Sequence, residues 1–423
     1  MRKKATLTFA DAIKRKGPRA VGAMVKPVGA TCNLDCTYCY YLDKARLAPK
    51  AHAAEVMSDE LLERFVKQYI EANQVPVVSF CWHGGEPLLA GREFYRKAVE
   101  FQKMYRGEKR IENSIQTNGT LLTDEWARFF AEEEFLVGVS IDGPREVHDA
   151  NRRDRAGEST FDRVMGGIER LKEQGAEFNT LSAVGAASEG RGREIYRFLK
   201  GIGSRFMQFL PVVEHVKRIE GWPREVIVEP GDPEAHRAEW SVGAEAYGRF
   251  LNDVFDEWVT GDVGSYFVQM FDVTLAGWCG VRPGLCAFCE TCGDALAVEH
   301  NGDVYACDHF VYPEYRRGNI ATGELRTMAG SGEQFRFGLE KRNALPTECL
   351  RCGYLHLCRG ECPKHRFVPS ERNPEERVNA LCGGLRAFYR HSEPYMLKMR
   401  ELLEAGEPAA LVIPWARQRM GLF

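Results

Sequence analysis

Between about residues 20 and 215, short apolar runs alternate with longer stretches whose apolar residues recur at helical spacing. This alternation predicts repeated βα units and a mostly parallel sheet, in a barrel-like or open α/β fold. Ser58, Thr123 and Thr160 are predicted helix N-caps, and Gly175 is predicted to end a helix. The predicted strands are 21–25, 77–82, 111–116, 136–141, 178–184 and 206–210, and the predicted helices are 58–73, 91–106, 123–134, 160–174 and 191–200.

Residues suited to chemistry directly follow four of the predicted strands. Cys32 comes after the first strand and a Gly-Gly-Glu-Pro run, starting at Gly84, after the second. A Thr-Asn-Gly run from Thr117 follows the third, and an Asp-Gly-Pro run from Asp142 follows the fourth. Each run alone is ordinary loop chemistry. Because parallel strands end at one edge of a sheet, the four runs together predict a ligand site there.

The pattern changes twice after the predicted sheet. From about 233 to 275 it is helical and rich in aromatic residues, which predicts packing against the α/β domain. Between 279 and 382 there are ten cysteines and few long periodic runs, so we expect metal rather than a large apolar core to hold this region together. A terminal helix is predicted at about 387–404.

Composition narrows the class of protein. The 423 residues are 44% hydrophobic, which suffices to bury a large core. The 57 basic and 60 acidic residues leave a net charge of -3, which argues against nucleic acid or an anionic membrane as the main partner. No long apolar segment follows the basic N-terminus, so a cytoplasmic location is predicted. In that reducing compartment, the 14 cysteines favour metal binding over disulfides.

The most informative motif is Cys32, Cys36 and Cys39, at CxxxCxxC spacing. Thiolates at this spacing can converge on one iron–sulfur centre from a single loop, yet an all-cysteine cluster needs four ligands. The motif therefore predicts a centre with one iron left for a ligand that is not protein.

This motif, followed by Gly84-Gly85-Glu86-Pro87, resembles the radical SAM enzymes. The resemblance implies a partial (β/α)6-type TIM barrel in which the three cysteines hold a [4Fe-4S] cluster and S-adenosylmethionine (SAM) binds its fourth iron. It also implies reductive cleavage of SAM to a 5′-deoxyadenosyl radical.

The same resemblance implies a set of SAM contacts. Glu86 suits the methionyl amine, and Arg152 suits the carboxylate through paired hydrogen bonds. Arg152 could instead be an exposed surface arginine, and Leu210, implied to pack on the adenine, could instead be a core leucine. The implied contacts are Gly84, Gly85, Glu86, Ser140, Arg152 and Leu210.

The later cysteines match the SPASM extension of radical SAM enzymes, which carries two auxiliary [4Fe-4S] clusters and brings the implied total to three. One implied ligand set is Cys286, Cys292, Cys307 and Cys362, and the other is Cys349, Cys352, Cys358 and Cys382. A structural zinc site is the alternative for Cys349 to Cys362. Cys81, Cys279 and Cys289 are left over as free thiols, and Cys289 lies between two implied ligands.

The implied domains are an N-terminal extension (1–19), the radical SAM partial barrel (20–232), a helical connector (233–278), the SPASM domain (279–385) and a C-terminal helix and tail (386–423).

The stretch from Cys292 through Cys307-Asp308-His309-Phe310 resembles anaerobic sulfatase-maturating enzymes in particular. These enzymes oxidise a cysteine or serine of a sulfatase polypeptide to Cα-formylglycine. The resemblance implies that polypeptide as substrate and an electron donor such as flavodoxin or ferredoxin. His83 departs from the glutamine expected in many relatives, and could face the peptide or be satisfied by backbone.

We hypothesise that the radical removes a Cβ hydrogen while Asp308 takes the thiol or hydroxyl proton, and that the second electron passes to the cluster carrying Cys307. The structural alternative for Asp308 is a turn or capping aspartate. Two other functions stay open. One is a SPASM enzyme that crosslinks or epimerises a ribosomal peptide, and the other is a zinc-stabilised interaction protein.

Overall fold

The structure is a computed structural model that describes residues 20–42, 44, 56–221, 225–228 and 232–422. The predicted extension 1–19 lies outside these residues. Six parallel strands form the first part of the main sheet, and they agree with the predicted strands to within one residue at each end. They are β1 (Gly22–Lys26), β2 (Val77–Trp82), β3 (Arg110–Thr117), β4 (Phe135–Ser140), β5 (Phe178–Val184) and β6 (Phe206–Pro211).

The strands lie in the sheet in their chain order, each parallel to the next. The first strand, β1, also pairs in parallel with β11 (Ala295–Glu299), from the cysteine-rich region, so the sheet continues past β1 instead of closing. This confirms the predicted partial barrel. Because β1 lies between the two regions, the loop after it is placed beside both.

Helices cover one face of the sheet. Ser58 and Thr123 accept a helix N–H through their side chains, and Gly175 ends a helix in the left-handed conformation, all as predicted. Thr160 occupies the N-cap position without capping, and the Asp149 carboxylate accepts its N–H instead. The helices are α1 (Asp59–Ala72), α2 (Arg92–Tyr105), α3 (Asp124–Glu132), α4 (Arg145–Asn151), α5 (Phe161–Gln174) and α6 (Gly192–Gly201); the pattern did not predict α4.

Three short strands follow β6, and two helices lead from them to the cysteine-rich region. The strands form a small antiparallel sheet whose apolar side, which includes Val216, packs against Tyr40. Tyr247, Phe250 and Phe255 are buried in the main core, as the aromatic pattern predicted. The elements are β7 (His215–Lys217), β8 (Val226–Ile227), β9 (His236–Arg237), α7 (Ala244–Gly261), β10 (Phe267–Val268) and α8 (Gln269–Trp278).

The cysteine-rich region consists mainly of short elements and ends in a long helix packed on α7. Within the described residues, no helix is long and apolar enough to cross a membrane. The remaining elements are β12 (Asp303–Tyr305), β13 (Arg316–Asn319), α9 (Leu325–Ala329), α10 (Gly332–Asn343), α11 (Thr347–Leu350), α12 (Leu355–Cys358), β14 (Arg366–Pro369), β15 (Arg377–Asn379), α13 (Cys382–Glu404) and α14 (Val412–Arg419).

Candidate active site

The cysteine loop after β1 is built on the glycine run after β2. The N–H of Gly85 donates to the carbonyl of Gly29 at 2.8 Å, and the N–H of Glu86 donates to that of Thr31 at 2.8 Å. A Cβ on Gly85 would overlap the Thr31 carbonyl, and one on Gly84, whose φ is +132°, would lie 3.0 Å from the Gly29 carbonyl. Only glycine allows this backbone approach, so the run positions the loop that carries Cys32.

Gly85→Ala is therefore expected to displace the cysteine loop. We expect at least a tenfold loss of SAM cleavage and a loss of iron from this site, since its thiols would no longer converge. Gly201→Ala, in open space near the end of α6, is the matched control and should leave both unchanged. Wild-type iron content and SAM cleavage in the Gly85 variant would contradict this role for the glycine.

Two other loops hold the cysteine loop from the sides. The Asn118 side chain donates to Asn33 at 2.8 Å and lies 3.8 Å from the Cys32 sulfur. On the other side, the N–H of Asp35 donates to the carbonyl of Arg153 at 2.9 Å. The runs from Gly84 and Thr117 thus contact the cysteine loop. The run from Asp142 reaches the same loop because the Asp142 carboxylate accepts a hydrogen bond from Tyr38.

The three thiols of this loop are close enough to influence each other. Burial raises the pKa of Cys32 to about 12, and the negative charges of Glu86 and Cys39 raise it further. Burial likewise raises the pKa of Cys36, while Arg152 opposes this effect. Buried thiolates that repel one another need a cationic centre to remain ionised. The loop therefore fits the positively charged core of an iron–sulfur cluster.

Glu86 is fully buried where β2 and β3 end. Its carboxylate accepts hydrogen bonds from the Thr117 hydroxyl at 2.8 Å and from the N–H groups of Asn118 and Leu88 at 2.7 and 3.0 Å. Burial raises the pKa of Glu86 to about 7 despite these three donors. A carboxylate offers about four acceptor positions, so one remains for an ammonium group.

Arg152 is buried, not a surface arginine. Its Nε lies 3.0 Å from the Asp142 carboxylate, which also accepts a hydrogen bond from the Tyr38 hydroxyl at 2.6 Å. The guanidinium lies 5.5 Å from the centre of the Tyr38 ring, inside the cysteine motif. Ser140, at the end of β4, is buried as well and accepts a hydrogen bond from Gln116. A buried cation beside the cluster loop is suited to a carboxylate ligand.

Leu210 is 36% exposed near the carboxyl end of β6. The alternative of an ordinary core leucine is therefore wrong. Its neighbours in the strand, Met207 and Phe209, are buried against the helices, so Leu210 lies on the opposite side of the sheet. An exposed leucine at this edge can pack on a flat ring.

Asp308 forms an ion pair with Lys26, which lies at the end of β1 and is fully buried. The Tyr40 hydroxyl, one residue beyond Cys39, donates to the other carboxylate oxygen. Burial alone would raise the pKa of Asp308, but Lys26, His83 and His309 outweigh it and hold the pKa well below the usual range. The ion pair with Lys26 favours the ionised carboxylate, and the Tyr40 hydroxyl links it to the cysteine loop.

The sequence did not identify Lys26 as a site residue, and it left the role of His83 open. Lys26 Nζ lies 3.3 Å from His83 Nδ1 and 4.3 Å from the centre of the Tyr41 ring. The N–H of Gly84 donates to His83 Nδ1 at 2.7 Å, so backbone satisfies this ring nitrogen. Burial and Lys26 lower the pKa of His83 to about 4. One sequence feature could have identified Lys26: it is the charged residue at the carboxyl end of an otherwise apolar strand.

Several of the later cysteines are close enough to influence one another electrostatically. Burial raises the pKa of Cys307 to about 12, and charges at Cys286 and Cys292 add to this effect. Cys362 is likewise an electrostatic neighbour of Cys307 and Cys286.

The cysteines of the second implied set also raise one another's pKa. Burial raises the pKa of Cys382 to about 11, aided by Cys349 and Cys352. It raises the pKa of Cys358 to about 12, aided among others by Cys382 and Cys349. Cys289 is also an electrostatic neighbour of Cys286, and its sulfur donates to the Pro283 carbonyl at 3.3 Å. Within the part of the chain described, no three His, Cys, Asp or Glu side chains are placed to hold a single metal ion.

The fold and this site define a radical SAM enzyme with an iron–sulfur-binding extension, and family models agree. The radical SAM superfamily model matches residues 27–199, and the SPASM model, described as an iron–sulfur cluster-binding domain, matches residues 289–353. The zinc-stabilised interaction protein is therefore wrong. The cofactors of this class are SAM and [4Fe-4S] clusters.

Individual relatives narrow the class further. A serine-type anaerobic sulfatase-maturating enzyme of Bacteroides thetaiotaomicron is 47% identical, over 92% of this chain and 94% of the relative. A cysteine-type enzyme of Clostridium perfringens is 31% identical, over 89% of this chain and 97% of the relative. A solved structure of native anSMEcpe with bound AdoMet is 30% identical, with a TM-score of 0.77 over 90% of this chain and 99% of that one. The chain belongs to the anaerobic sulfatase-maturating enzymes.

Proposed function

We propose that this enzyme oxidises a serine side chain of a sulfatase polypeptide to Cα-formylglycine. The observation that carries the proposal is the Asp308 carboxylate, which is paired with Lys26 and linked through Tyr40 to the loop of Cys32, Cys36 and Cys39. The choice of serine rests on the 47% identity to a serine-type relative, against 31% to a cysteine-type one. A solved relative with a bound peptide supports a polypeptide substrate.

We further propose that the SAM contacts are divided between the ends of β2, β4 and β6. The free acceptor position on Glu86 would take the amine, Arg152 and Ser140 the carboxylate, and Leu210 one face of the adenine. Gly84 and Gly85 would keep the backbone close enough for these contacts. When bound to a reduced cluster, SAM supplies a radical able to remove a hydrogen atom from a carbon.

Asp308 would receive the proton of the substrate hydroxyl. Its ion pair with Lys26 keeps it ionised but also makes it a weak base. The substrate hydroxyl would therefore displace part of the contact between Lys26 and the carboxylate. The weaker ion pair would raise the pKa of Asp308 and make it a stronger base when substrate is bound. Lys26 and Tyr40 would hold the carboxylate in position, and Lys364, 4.3 Å from the centre of the Tyr40 ring, would support Tyr40.

For the iron–sulfur clusters, we propose the three ligand sets that the sequence implied, with a flavodoxin or ferredoxin as electron donor. The mutual pKa effects within each cysteine set support this division. The first auxiliary set includes Cys307, directly before Asp308. This adjacency supports the first auxiliary cluster as the acceptor of the second electron from the substrate.

The test is anaerobic incubation of the reconstituted enzyme, SAM and reductant with two peptides that differ only in serine or cysteine at the target position. We expect an aldehyde product from the serine peptide, detected by its mass and by hydrazine labelling. Aldehyde from the cysteine peptide alone would refute the choice of serine. A crosslinked or epimerised product without aldehyde would refute the proposed reaction altogether.

A further inference from the structure

A left-handed backbone segment separates the two auxiliary ligand sets. Arg359, Gly360 and Glu361 have φ values of +51°, +70° and +51°. They are the three residues between Cys358, assigned to one set, and Cys362, assigned to the other. Left-handed conformations are unfavourable for residues with a Cβ, so Arg359 and Glu361 need surrounding contacts to hold them there.

The side chain of Arg366 supplies those contacts. Its guanidinium donates to the carbonyls of Arg359, Gly360 and Glu361 at 3.1, 2.9 and 3.2 Å. A fourth hydrogen bond, of 2.6 Å, reaches the carbonyl of Lys341 on α10. All three carbonyls of the left-handed segment thus point to one side chain. Only the planar fork of arginine offers enough donors for this arrangement.

Helix α10 joins this arrangement to the other ligand loop. Lys341 donates to the carbonyls of Ala287 and Cys289, between Cys286 and Cys292. A Cβ on Gly338, one turn earlier on the helix, would overlap the Cys292 carbonyl. The Arg366 contact with α10 therefore connects the segment that joins the two sets with the loop that begins the first set.

Arg366 also brings a permanent positive charge between the sets. Cys349, Cys358 and Cys362 are its electrostatic neighbours, together with the buried Glu361. The Glu361 carboxylate is held by His365 and Asn379, at 2.8 and 2.6 Å. A guanidinium remains protonated under all ordinary conditions.

We propose that Arg366 is a positioning residue for both auxiliary clusters, fixing the left-handed segment that separates their ligands and placing a permanent cation between them. The inference rests on the proposed ligand sets. A cluster with four thiolate ligands is anionic and gains a further negative charge on reduction. The nearby cation favours the reduced form and raises the reduction potential.

The experiment uses the full chain carrying Cys32→Ala, Cys36→Ala and Cys39→Ala, so that only the auxiliary clusters contribute to the spectra. In this background, Arg366→Lys keeps the charge but loses the fork, and Arg366→Met loses both. Arg366 and Arg377 both line a cavity of about 840 Å³. Arg377→Met is the control because Arg377 is exposed and its side chain donates to the nearby carbonyls of Pro374 and Glu376. The rate of iron loss to a chelator tests whether Arg366 holds the left-handed segment in place. The reduction potentials of the clusters, from an EPR-monitored redox titration, test the effect of its charge.

For Arg366→Lys we expect at least threefold faster iron loss at a nearly unchanged potential. For Arg366→Met we expect faster loss and about a tenfold shift of the reduction equilibrium toward the oxidised form, ~59 mV for one electron, in at least one cluster. If Arg366→Met does not fold, the rate of iron loss from Arg366→Lys tests the positioning role. A wild-type rate of loss in Arg366→Lys, or wild-type potentials in a folded Arg366→Met, would overturn the inference. A background protein without iron would overturn the ligand sets as well.

Discussion

Asp308→Asn is expected to lower formylglycine formation by at least about a hundredfold, the usual contribution of a positioned general base. The amide has nearly the shape of the carboxylate but cannot take up the proton of the substrate hydroxyl. SAM cleavage should continue, because the implied SAM contacts Glu86 and Arg152 lie on other loops, one after β2 and one after α4. Product is measured by peptide mass, and SAM cleavage by released 5′-deoxyadenosine.

This variant needs a check on the fold, because it leaves the buried Lys26 ammonium without its carboxylate partner. Iron content and the circular dichroism spectrum should match the wild type. Asp294→Asn, which alters an exposed ion pair with Arg282, is the control and should retain full product yield. A product yield near wild type from the Asp308 variant would exclude it as the base.

Replacing Cys32, Cys36 and Cys39 together by alanine is expected to abolish SAM cleavage while iron remains on the protein. These three thiols lie on one loop after β1, whereas both auxiliary sets come from the region after residue 279. The variant therefore removes one cluster site without changing the residues that form the others. Iron and sulfide analysis, with a SAM cleavage assay, measures the result.

The matched control for this triple variant is Cys279→Ala, which changes a thiol outside all three sets. It should keep both the iron and the SAM cleavage of the wild type. Complete loss of iron from the triple variant would show that the clusters do not assemble independently. Residual SAM cleavage would contradict the assignment of these cysteines.

Local signals accounted for most of the barrel. The predicted strands lie within one residue of β1 to β6 because each is a short apolar run bounded by turn residues. The seven-residue helix α4 was missed, since it is too short for its periodicity to show. Thr160 was predicted as a cap from its position, but Asp149, eleven residues earlier, accepts the N–H groups of Thr160 and of Phe161, the first residue of the helix. Such long-range substitutions leave no trace in a local pattern.

Some residues of the site could likewise be predicted from local sequence, whereas the environment of others depended on the folded chain. Motif spacing alone brought the cysteines and the Gly84 to Pro87 run to attention, because a cluster loop and a close backbone approach both require particular residues at fixed intervals. Whether Arg152 was exposed and whether Leu210 belonged to the core depended on what packs beside them. Both questions were answered only by the folded chain, which buries Arg152 beside Asp142 and leaves Leu210 accessible.

The sequence by itself determined the class of chemistry, because ligand identity and spacing are properties of a continuous stretch of chain. Only the tertiary structure decided how Asp308 is used. Its partners Lys26 and Tyr40 lie 282 and 268 positions away in the chain, and they meet it because β1 pairs with β11. Pairing between distant strands sets the charge around the proposed base, and no local pattern of residues encodes that pairing.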